Sequence, residues 1–437
     1  MKTFTGGVHL KDEKEPTRGK AITEAKSPTI AVIPLIQHTG APCEPLVSVG
    51  DEVKVGQPLG DSQRYITAPV HSSISGKVKA IEGRPHPTLG KKIKSIVIES
   101  DGKERVHESV KPYAEFDKLT KHDIRKIVRA AGIVGLGGGA FPTHVKLDPP
   151  HDKIIEYVIL NGAECEPYLT CDERIMIELA DEVVMGLKAI MKPTDAHKAI
   201  IGIESNKPEA IKIMQEAING EHDIKIKVVK TKYPAGGEKQ LIRALTGREV
   251  PSGGLPMDVK VVVNNVGTAQ AIANTIKTGM PLIERVVTVT GKRVRNPSNL
   301  RVKIGTPVKN VIEECGGVDG EIAKVIIGGP MMGIAGWNLD CPVIKCTTAI
   351  LILTKDEVKE YEPLPCVRCG KCVDVCPHYL LPSMIARFAE FGKWSEAKSY
   401  GALDCIECGA CAYVCPSKID LVQLIKLAKS EILSRKR

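Results

Sequence analysis

Eight of the chain's 14 cysteines stand near its carboxyl end as two runs of identical spacing. In each run, two residues separate the first three cysteines, three residues precede the fourth, and a proline follows it. Thiolates at this spacing bind [4Fe–4S] clusters, whereas a structural zinc site uses two close pairs separated by a longer loop. The sequence therefore predicts two iron–sulfur clusters, with these ligands: Cys366, Cys369, Cys372 and Cys376, and Cys405, Cys408, Cys411 and Cys415.

The duplicated run resembles two-cluster ferredoxins. In that family the first three cysteines of a run bind one cluster and the fourth crosses to the other. The resemblance implies that Cys415 completes the site of Cys366, Cys369 and Cys372, and that Cys376 completes the site of Cys405, Cys408 and Cys411. We expect residues 355–437 to form a C-terminal domain of this two-cluster ferredoxin type.

Composition indicates several domains and excludes some functions. With 437 residues, of which 43% are apolar, the chain is long enough for two to four domains with ordinary cores, and we predict a multidomain α/β and α+β protein. The net charge of +9 is dispersed, without the aromatic interleaving or concentrated stripe of a nucleic-acid-binding protein. An acidic partner or an anionic membrane surface suits this charge better. Because we find neither a signal peptide nor an apolar stretch of spanning length, we expect a soluble or peripheral cytoplasmic protein, whose cysteines stay reduced.

The first 110 residues have the pattern of a small all-β domain. Short apolar pairs alternate with turn residues from Gly50 to Gly60 and again from Ala68 to Val78. The pattern resembles the barrel-sandwich of lipoyl and biotinyl carrier domains, which carry a modified lysine on a hairpin. The corresponding stretch here, Asp61 to Tyr65, has no lysine. We therefore predict a docking or spacer domain over residues 1–110 instead of a swinging arm.

A glycine-rich loop follows a helical pattern that covers residues 117–131. Gly135, Gly137, Gly138 and Gly139 lie within five residues, with Lys146 just beyond them. Glycines let backbone N–H groups approach a phosphate or a flat ring. The dinucleotide fingerprint needs a strand before such a loop, and the pattern here is helical. On glycine content alone, a plain surface loop and a ligand cradle remain equally good interpretations.

Further along the chain there are three groups of polar residues: Asn161, Glu164 and Glu166; Tyr233 and Glu238; and Asn264, Asn265 and Thr268. The first and the third group stand at the ends of strand-like apolar runs, where open α/β sheets bind ligands.

Together with the glycine loop, these groups resemble the FMN-binding subunit of respiratory complex I, which oxidises NADH. The resemblance implies a Rossmann-like flavin domain over residues 111–282. It implies that Phe141 and Glu238 face the nicotinamide nucleotide, with Glu164, Glu238 and Phe141 as the catalytic candidates. Ala140 stands where that family has glycine. The implied cofactor-binding residues are Gly135, Gly137, Gly138, Gly139, Lys146, Asn161, Glu164, Glu166, Tyr233, Asn264, Asn265 and Thr268.

Residues 283–345 resemble the β-grasp domain that follows the flavin domain in the same family. Strand-like runs here flank a short helix, for which we predict Thr306 as N-cap and Pro307 as the first helical residue. We expect this domain to hold the flavin and cluster domains in fixed relation.

Read in order, the four domains resemble the RnfC family, the C subunits of Rnf complexes, over nearly the whole chain. That resemblance implies an oxidoreductase subunit of an ion-translocating membrane complex that binds two [4Fe–4S] clusters and FMN. It implies NADH as substrate, the other subunits as partners, and ferredoxin as an indirect one. Its expected place is the cytoplasmic face of the membrane, as a peripheral subunit. Two alternatives remain: a soluble NADH-dependent corrinoid-type reductase with the same parts in a different order, and a flavin-free ferredoxin-type adaptor.

Two further features have ordinary structural interpretations. The segment from Ile419 to Arg437 is a basic amphipathic helix, which we expect to pack on the ferredoxin core. The other cysteines show no ligand spacing, and we expect them to be small buried apolar residues. Cys165 is the exception, because it lies in the proposed flavin turn. They are Cys43, Cys165, Cys171, Cys315, Cys341 and Cys346.

Overall fold

The computed structural model describes residues 1–435, and Lys436 and Arg437 lie outside the described residues. The chain opens with a strap, residues 1–29, that contacts more than one domain. The strap contains the short helix α1 (Glu15–Arg18) and the strand β1 (Ile22–Glu24), and β1 pairs in parallel with a strand near residue 300.

The N-terminal domain is a barrel-sandwich, as the sequence predicts. Its sheets have the orders β2-β8-β7-β4 and β3-β5-β6, and all their pairings are antiparallel. Buried side chains such as Leu35, Leu59 and Ile96 fill the space between them. The strands are β2 (Ile30–Pro34), β3 (Glu44–Pro45), β4 (Glu52–Val53), β5 (Pro58–Asp61), β6 (Val70–His71), β7 (Gly76–Pro85) and β8 (Lys92–Ser100).

The hairpin stretch without a lysine docks on the next domain. Arg129 donates to the Asp61 carboxylate at 2.7 Å, and a ring nitrogen of His144 lies 3.2 Å from the Tyr65 carbonyl oxygen. These contacts support the interpretation of this domain as a docking barrel.

The second domain is a parallel α/β sheet of order β11-β10-β9-β12. The strands β9, β10 and β12 are largely apolar runs, as expected for strands that helices cover on both faces, whereas the edge strand β11 alternates lysine with isoleucine. The helix predicted over residues 117–131 begins later, at Lys121, because Thr120 and Asp123 form a capping box. The elements are α2 (Lys121–Ala130), α3 (Thr143–Lys146), β9 (Tyr157–Gly162), α4 (Cys171–Glu178), α5 (Ala180–Thr194), β10 (Lys198–Glu204), α6 (Pro208–Ala217), β11 (Ile224–Val229), α7 (Glu238–Thr246), β12 (Val261–Asn265) and α8 (Val266–Thr278).

This strand order contains a topological switch point. From β9 the chain moves outward through β10 to β11, then returns to place β12 on the other side of β9. Ligands of open α/β sheets bind in the crevice that forms beyond the carboxyl ends of the two strands at such a point. The ends of β9 and β12 carry Asn161 and Asn265, which lie opposite each other in register.

The third domain is built on a mixed sheet of order β1-β14-β13-β17-β15-β16. The hairpin of β13 and β14 offers free hydrogen-bonding groups along both of its edges, so β1 of the strap pairs with β14, and β17 pairs with β13. β17 lies beyond the predicted range of residues 283–345. The elements are β13 (Glu284–Thr290), β14 (Ser298–Lys303), α9 (Val308–Glu314), β15 (Ile322–Ile327), β16 (Ile334–Gly336) and β17 (Ala349–Thr354).

The predicted cap of α9 is wrong by one residue. Pro307 is the N-cap, and no side chain caps the helix. The Thr306 hydroxyl instead donates to the carbonyl oxygen of Lys303 at 2.7 Å, within the preceding turn.

The C-terminal domain consists of short helices around the two cysteine runs. The prediction for the terminal helix is confirmed for the described residues, because Leu421, Ile425, Ala428 and Ile432 pack into the core of this domain. Across residues 1–435, none of the helices combines the length and the apolar character needed to cross a bilayer. The helices are α10 (Lys371–Asp374), α11 (Pro382–Glu390), α12 (Trp394–Ser399), α13 (Ala410–Tyr413) and α14 (Leu421–Ser434).

Candidate functional site

The glycine loop lies against the carboxyl end of β12. A Cβ atom added to Gly137 would stand 3.3 Å from the Cβ of Asn265, so little room separates the loop from the switch point. The hydroxyl of Thr268 in the first turn of α8 accepts a hydrogen bond of 2.9 Å from the Leu136 amide. Thr268 therefore anchors the loop. Asn265 caps α8 by accepting from the Gly267 amide at 2.9 Å and donates to Asp172 at 2.7 Å.

The barrel domain supports the same loop from its far side. The Thr39 hydroxyl donates to the Gly139 carbonyl oxygen at 3.2 Å, and the Thr39 amide donates to that of Ala140 at 3.0 Å. The Gly135 amide donates to the carbonyl oxygen of Phe141, whose side chain is half-buried at the end of the loop. The loop is therefore held at both ends.

The middle of the loop is open. Cβ atoms added at Gly138 and Gly139 would meet nothing within 4 Å. Gly138 has φ +104°, in the region that favours glycine. Both residues are exposed, so a ligand can approach the backbone here.

A partly exposed ion pair joins Lys146 to Glu238 beside β12. The Lys146 ammonium donates to the Glu238 carboxylate and to the Val263 carbonyl oxygen, both at 3.0 Å. Their side chains keep 31% and 39% of their exposure, so an anionic ligand can reach the ammonium. The structure therefore places a lysine from α3 and a glutamate from the start of α7 beside β12.

Asn264 is the asparagine at the strand ends with an unused donor. Its side-chain amide nitrogen is buried and has no hydrogen-bond partner among the described residues, and the residue is only 5% exposed. Asn161, by contrast, donates to the Gly236 carbonyl oxygen at 2.9 Å and accepts from the Ala163 amide at 3.1 Å. A buried donor without a partner costs about 1–3 kcal/mol, which a bound acceptor would remove.

Glu164 lies in a buried charged network. One of its carboxylate oxygens accepts from the Asp172 amide at 2.7 Å, and the other lies 3.5 Å from the ammonium of Lys14 in the strap. Burial, and then the charge of Glu164, raises the pKa of Asp172 to about 7. The roles of Lys14 and Asp172 were not predictable from the sequence, since a single lysine in the strap and an aspartate in a helix carry no motif.

Glu166 and Tyr233 link this domain to its neighbours. The Glu166 carboxylate accepts from the amides of Met331 at 3.0 Å and Met332 at 2.8 Å, in the third domain, and burial raises its pKa to about 7. The Tyr233 hydroxyl donates to the carbonyl oxygen of Cys408 at 2.6 Å. Both side chains therefore reach across domain boundaries.

The two cysteine runs share a backbone conformation at equivalent positions. Arg368 and Glu407, two residues after the first cysteine of each run, have φ +55° and +59°. Their amides donate to the sulfurs of Cys366 and Cys405, each at 3.4 Å. Such N–H···S contacts are what the short spacing supplies to a cluster, and their duplication gives the domain its pseudo-symmetry.

One cavity of the C-terminal domain contains cysteines of both runs. It is lined by Cys376 of the first run and by Cys405, Cys408 and Cys411 of the second. Burial, and then the charges of the other three thiols of this group, raises the pKa of Cys411 to about 12. The fourth cysteine of the first run thus lies with the second run.

The remaining cysteines differ in exposure from that group. Cys366 and Cys369 are exposed, whereas Cys408 and Cys411 are buried. Cys415 is buried in a small apolar cluster that Cys372 packs against. Outside the two runs, Cys43, Cys171, Cys315 and Cys341 are buried, as expected for small apolar residues, and Cys165 and Cys346 are half-buried.

Family models match four parts of the chain in the predicted order. The RnfC barrel sandwich hybrid domain matches residues 2–103, and the Nuo51 FMN-binding domain matches residues 128–274. The SLBB domain matches residues 286–335, and the 4Fe-4S dicluster domain matches residues 365–419. The chain therefore carries an FMN-binding domain and a dicluster domain.

Similar proteins cover nearly the whole chain. The C subunit of the Na(+)-translocating ferredoxin:NAD(+) oxidoreductase complex of Acetobacterium woodii is 48% identical over 435 residues, which is 100% of this chain and 98% of that protein. The C subunit of the proton-translocating ferredoxin:NAD(+) oxidoreductase complex of Clostridium ljungdahlii is 49% identical over 91% of this chain and 86% of that protein. The C subunit of the ion-translocating oxidoreductase complex of Citrobacter koseri is 40% identical over 98% of this chain and 61% of that protein.

Among solved structures, NAD+-reducing [NiFe]-hydrogenase in the H2-reduced state aligns with a TM-score of 0.49 and 17% identity, over 71% of this chain and 63% of that chain. At that score the alignment decides nothing about function. The family follows from the relatives named above, because they are similar from the strap to the cluster domain. The chain belongs to the RnfC family, the C subunits of ion-translocating ferredoxin:NAD(+) oxidoreductase complexes.

Proposed function

We propose that this chain is the NADH-oxidising electron-input subunit of a membrane-bound, ion-translocating complex. It acts at the cytoplasmic face as a peripheral subunit, and electrons leave its clusters for another subunit and, indirectly, for ferredoxin. The observation that carries the proposal is the direct contact between the flavin domain and a cluster ligand, from the Tyr233 hydroxyl to the Cys408 carbonyl oxygen. A flavin, when bound, exchanges a hydride with NADH and single electrons with iron–sulfur clusters.

The residues at the switch point fit FMN. The amides of Gly137, Gly138 and Gly139 and the ammonium of Lys146 would hold its phosphate and ring, whereas the Gly135 amide closes the loop by donating to the Phe141 carbonyl oxygen. The buried donor of Asn264 has no partner within the described residues and would find an acceptor on the cofactor. This donor and the open loop are the features that distinguish the crevice from a plain surface turn.

Other predicted residues hold the elements that form the site. The side chains of three of them bond within the protein. Asn161 holds the turn after β9, Asn265 caps α8, and Thr268 anchors the glycine loop. Glu164 holds its own turn through the Asp172 amide. We propose that these residues shape the crevice. We assign its open side, between Phe141 and Glu238, to the nicotinamide nucleotide.

The two clusters differ in their surroundings. We assign the buried cluster to Cys405, Cys408, Cys411 and Cys376 and the exposed one to Cys366, Cys369, Cys372 and Cys415. Because Tyr233 contacts the buried group, we place the buried cluster next to the flavin and the exposed cluster next to the acceptor.

The test is an anaerobic cofactor analysis of the full chain, followed by addition of NADH. The proposal expects about eight iron atoms and one FMN per chain, with rapid loss of the oxidised flavin absorption. About eight iron atoms with neither flavin nor a response to NADH would reduce the protein to a ferredoxin-type adaptor and refute the proposal.

A further inference from the structure

Two glycines of the strap lie between the flavin and cluster domains. The Gly7 amide donates to the Val375 carbonyl oxygen of the cluster domain at 2.8 Å. On the other side, the backbone of Val8 exchanges two hydrogen bonds with Tyr233 of the flavin domain, at 2.8 and 2.9 Å. The strap thus forms a layer one backbone thick between the two domains.

This layer has no room for a side chain. A Cβ atom added to Gly6 would stand 2.8 Å from the carbonyl oxygen of Cys376, and one added to Gly7 would stand 2.5 Å from that of Tyr233. Both residues also have positive φ, +72° and +79°. Any other residue at either position would therefore push the flavin domain and the buried cluster apart.

Tyr233 spans the same junction with its side chain. The residue is 2% exposed, and its hydroxyl donates to the Cys408 carbonyl oxygen at 2.6 Å. Glu166 of the flavin domain accepts from the amides of Met331 and Met332 in the third domain, and Met331 packs against the apolar cluster that contains Tyr233. Val8, Tyr233, Cys408 and Ala410 form one buried apolar cluster. Three domains and the strap therefore meet at this tyrosine.

We propose that Gly6, Gly7 and Tyr233 form an interdomain bracket that sets the distance and the hydrogen bonding between the flavin domain and the buried cluster. They are positioning residues, because they act through the backbone of the ligands Cys376 and Cys408. The bracket determines how fast an electron crosses from flavin to cluster, and the tyrosine hydrogen bond affects the potential of that cluster. This inference rests on the proposed function, which places FMN at the switch point.

The test compares Tyr233→Phe with wild type in the full chain. Tyr413→Phe is the matched control, since Tyr413 lies in the second cysteine run but is 55% exposed. Stopped-flow mixing with NADH follows flavin and cluster reduction separately, and an electron paramagnetic resonance titration measures both cluster potentials. We expect Tyr233→Phe to keep its iron, its FMN and its rate of flavin reduction. Its clusters should be reduced about fivefold more slowly, which corresponds to a barrier higher by about 1 kcal/mol, and one cluster potential should shift.

A second variant tests the spacing. Gly7→Ala should also slow cluster reduction, whereas Gly90→Ala should not, because Gly90 has φ +62° but nothing within 4 Å of an added Cβ atom. Cluster rates and potentials in Tyr233→Phe and Gly7→Ala equal to those of both controls would overturn the bracket while leaving the proposed function intact. If NADH fails to reduce the flavin of the wild-type protein, the proposed function fails first, and the bracket fails with it.

Discussion

The crossed arrangement of the cluster ligands can be tested by counting iron in pairs of variants. One cavity contains Cys376 with Cys405, so the two thiols belong to the same cluster if ligation follows the structure. Each [4Fe–4S] cluster has four thiolate ligands and about four iron atoms. Replacing one ligand with alanine is expected to remove one cluster, so Cys376→Ala should lower the iron content from about eight to about four per chain.

The second substitution decides the assignment. Cys376→Ala with Cys405→Ala removes two ligands of one cluster and should leave about four iron atoms, whereas Cys376→Ala with Cys369→Ala removes one ligand from each cluster and should leave about none. Uncrossed ligation reverses the two results. Cys315→Ala is the control for loss of a buried thiol, because Cys315 lies in the core of the third domain.

The assay is iron and sulfide determination on anaerobically purified protein, with electron paramagnetic resonance of the reduced samples. About four iron atoms in the variant lacking Cys376 and Cys369, with about none in the variant lacking Cys376 and Cys405, would refute the assignment. A loss of iron in Cys315→Ala would show that the count reports stability instead of ligation.

Three further changes test other parts of the site. Gly138→Trp should expel FMN and keep the iron, whereas Gly90→Trp, at another open glycine with positive φ, should keep both; FMN retained in Gly138→Trp would contradict the cradle. Asn264→Ala should weaken FMN binding about fivefold, since one hydrogen bond contributes about 1 kcal/mol, and a fluorescence titration with unchanged affinity would contradict its role. Because the folded-state pKa of Glu166 is about 7, above its ordinary 4.5, the folded chain holds a proton that the unfolded chain releases. The stabilisation is complete below about pH 4.5 and is lost as the pH rises through 7, so thermal unfolding midpoints of wild type should fall over this range. Those of Glu166→Gln should fall less, because Asp172, whose pKa is also raised to about 7, still loses its proton there; an equal fall in both proteins would contradict the assignment.

The cluster ligands were predictable because their signal is local. Each run places its cysteines within a few residues, and the same turn follows in both, with Gly370 and Gly409 at φ +78° and +80°. The order of the domains was predictable for a related reason, because the short motifs of each domain resemble those of a known family. Local patterns were therefore enough to predict the cluster ligands and the order of the domains.

Contacts between distant segments were not predictable. Nothing in the motif around Tyr233 indicates that its hydroxyl meets the cluster domain, and Lys14 shows no sign in the sequence that it lies buried against Glu164. Likewise, nothing in the motif around Thr268, which predicts a flavin contact, indicates that its hydroxyl anchors the glycine loop. These placements depend on how the domains dock, which no short pattern specifies.

Ala140 illustrates both what the sequence predicts and what only the structure shows. The sequence identified it as a departure from the glycine of the resembled family, and the structure gives it φ +46°, a conformation that costs an alanine about 1 kcal/mol. The residue is 7% exposed, so its methyl group is buried in return. The departure was visible in the sequence, but its compensation was visible only in the packed structure.

The most direct test of the account is whether electrons from NADH reach the clusters only through a flavin bound in the same chain. Full-length protein, with its clusters intact, is stripped of FMN, divided, and mixed anaerobically with NADH before and after reloading with FMN. The account predicts cluster signals in electron paramagnetic resonance only in the reloaded sample, and none in a reloaded Gly138→Trp sample. Reduction of the clusters by NADH without flavin, or no reduction with flavin bound, would contradict it.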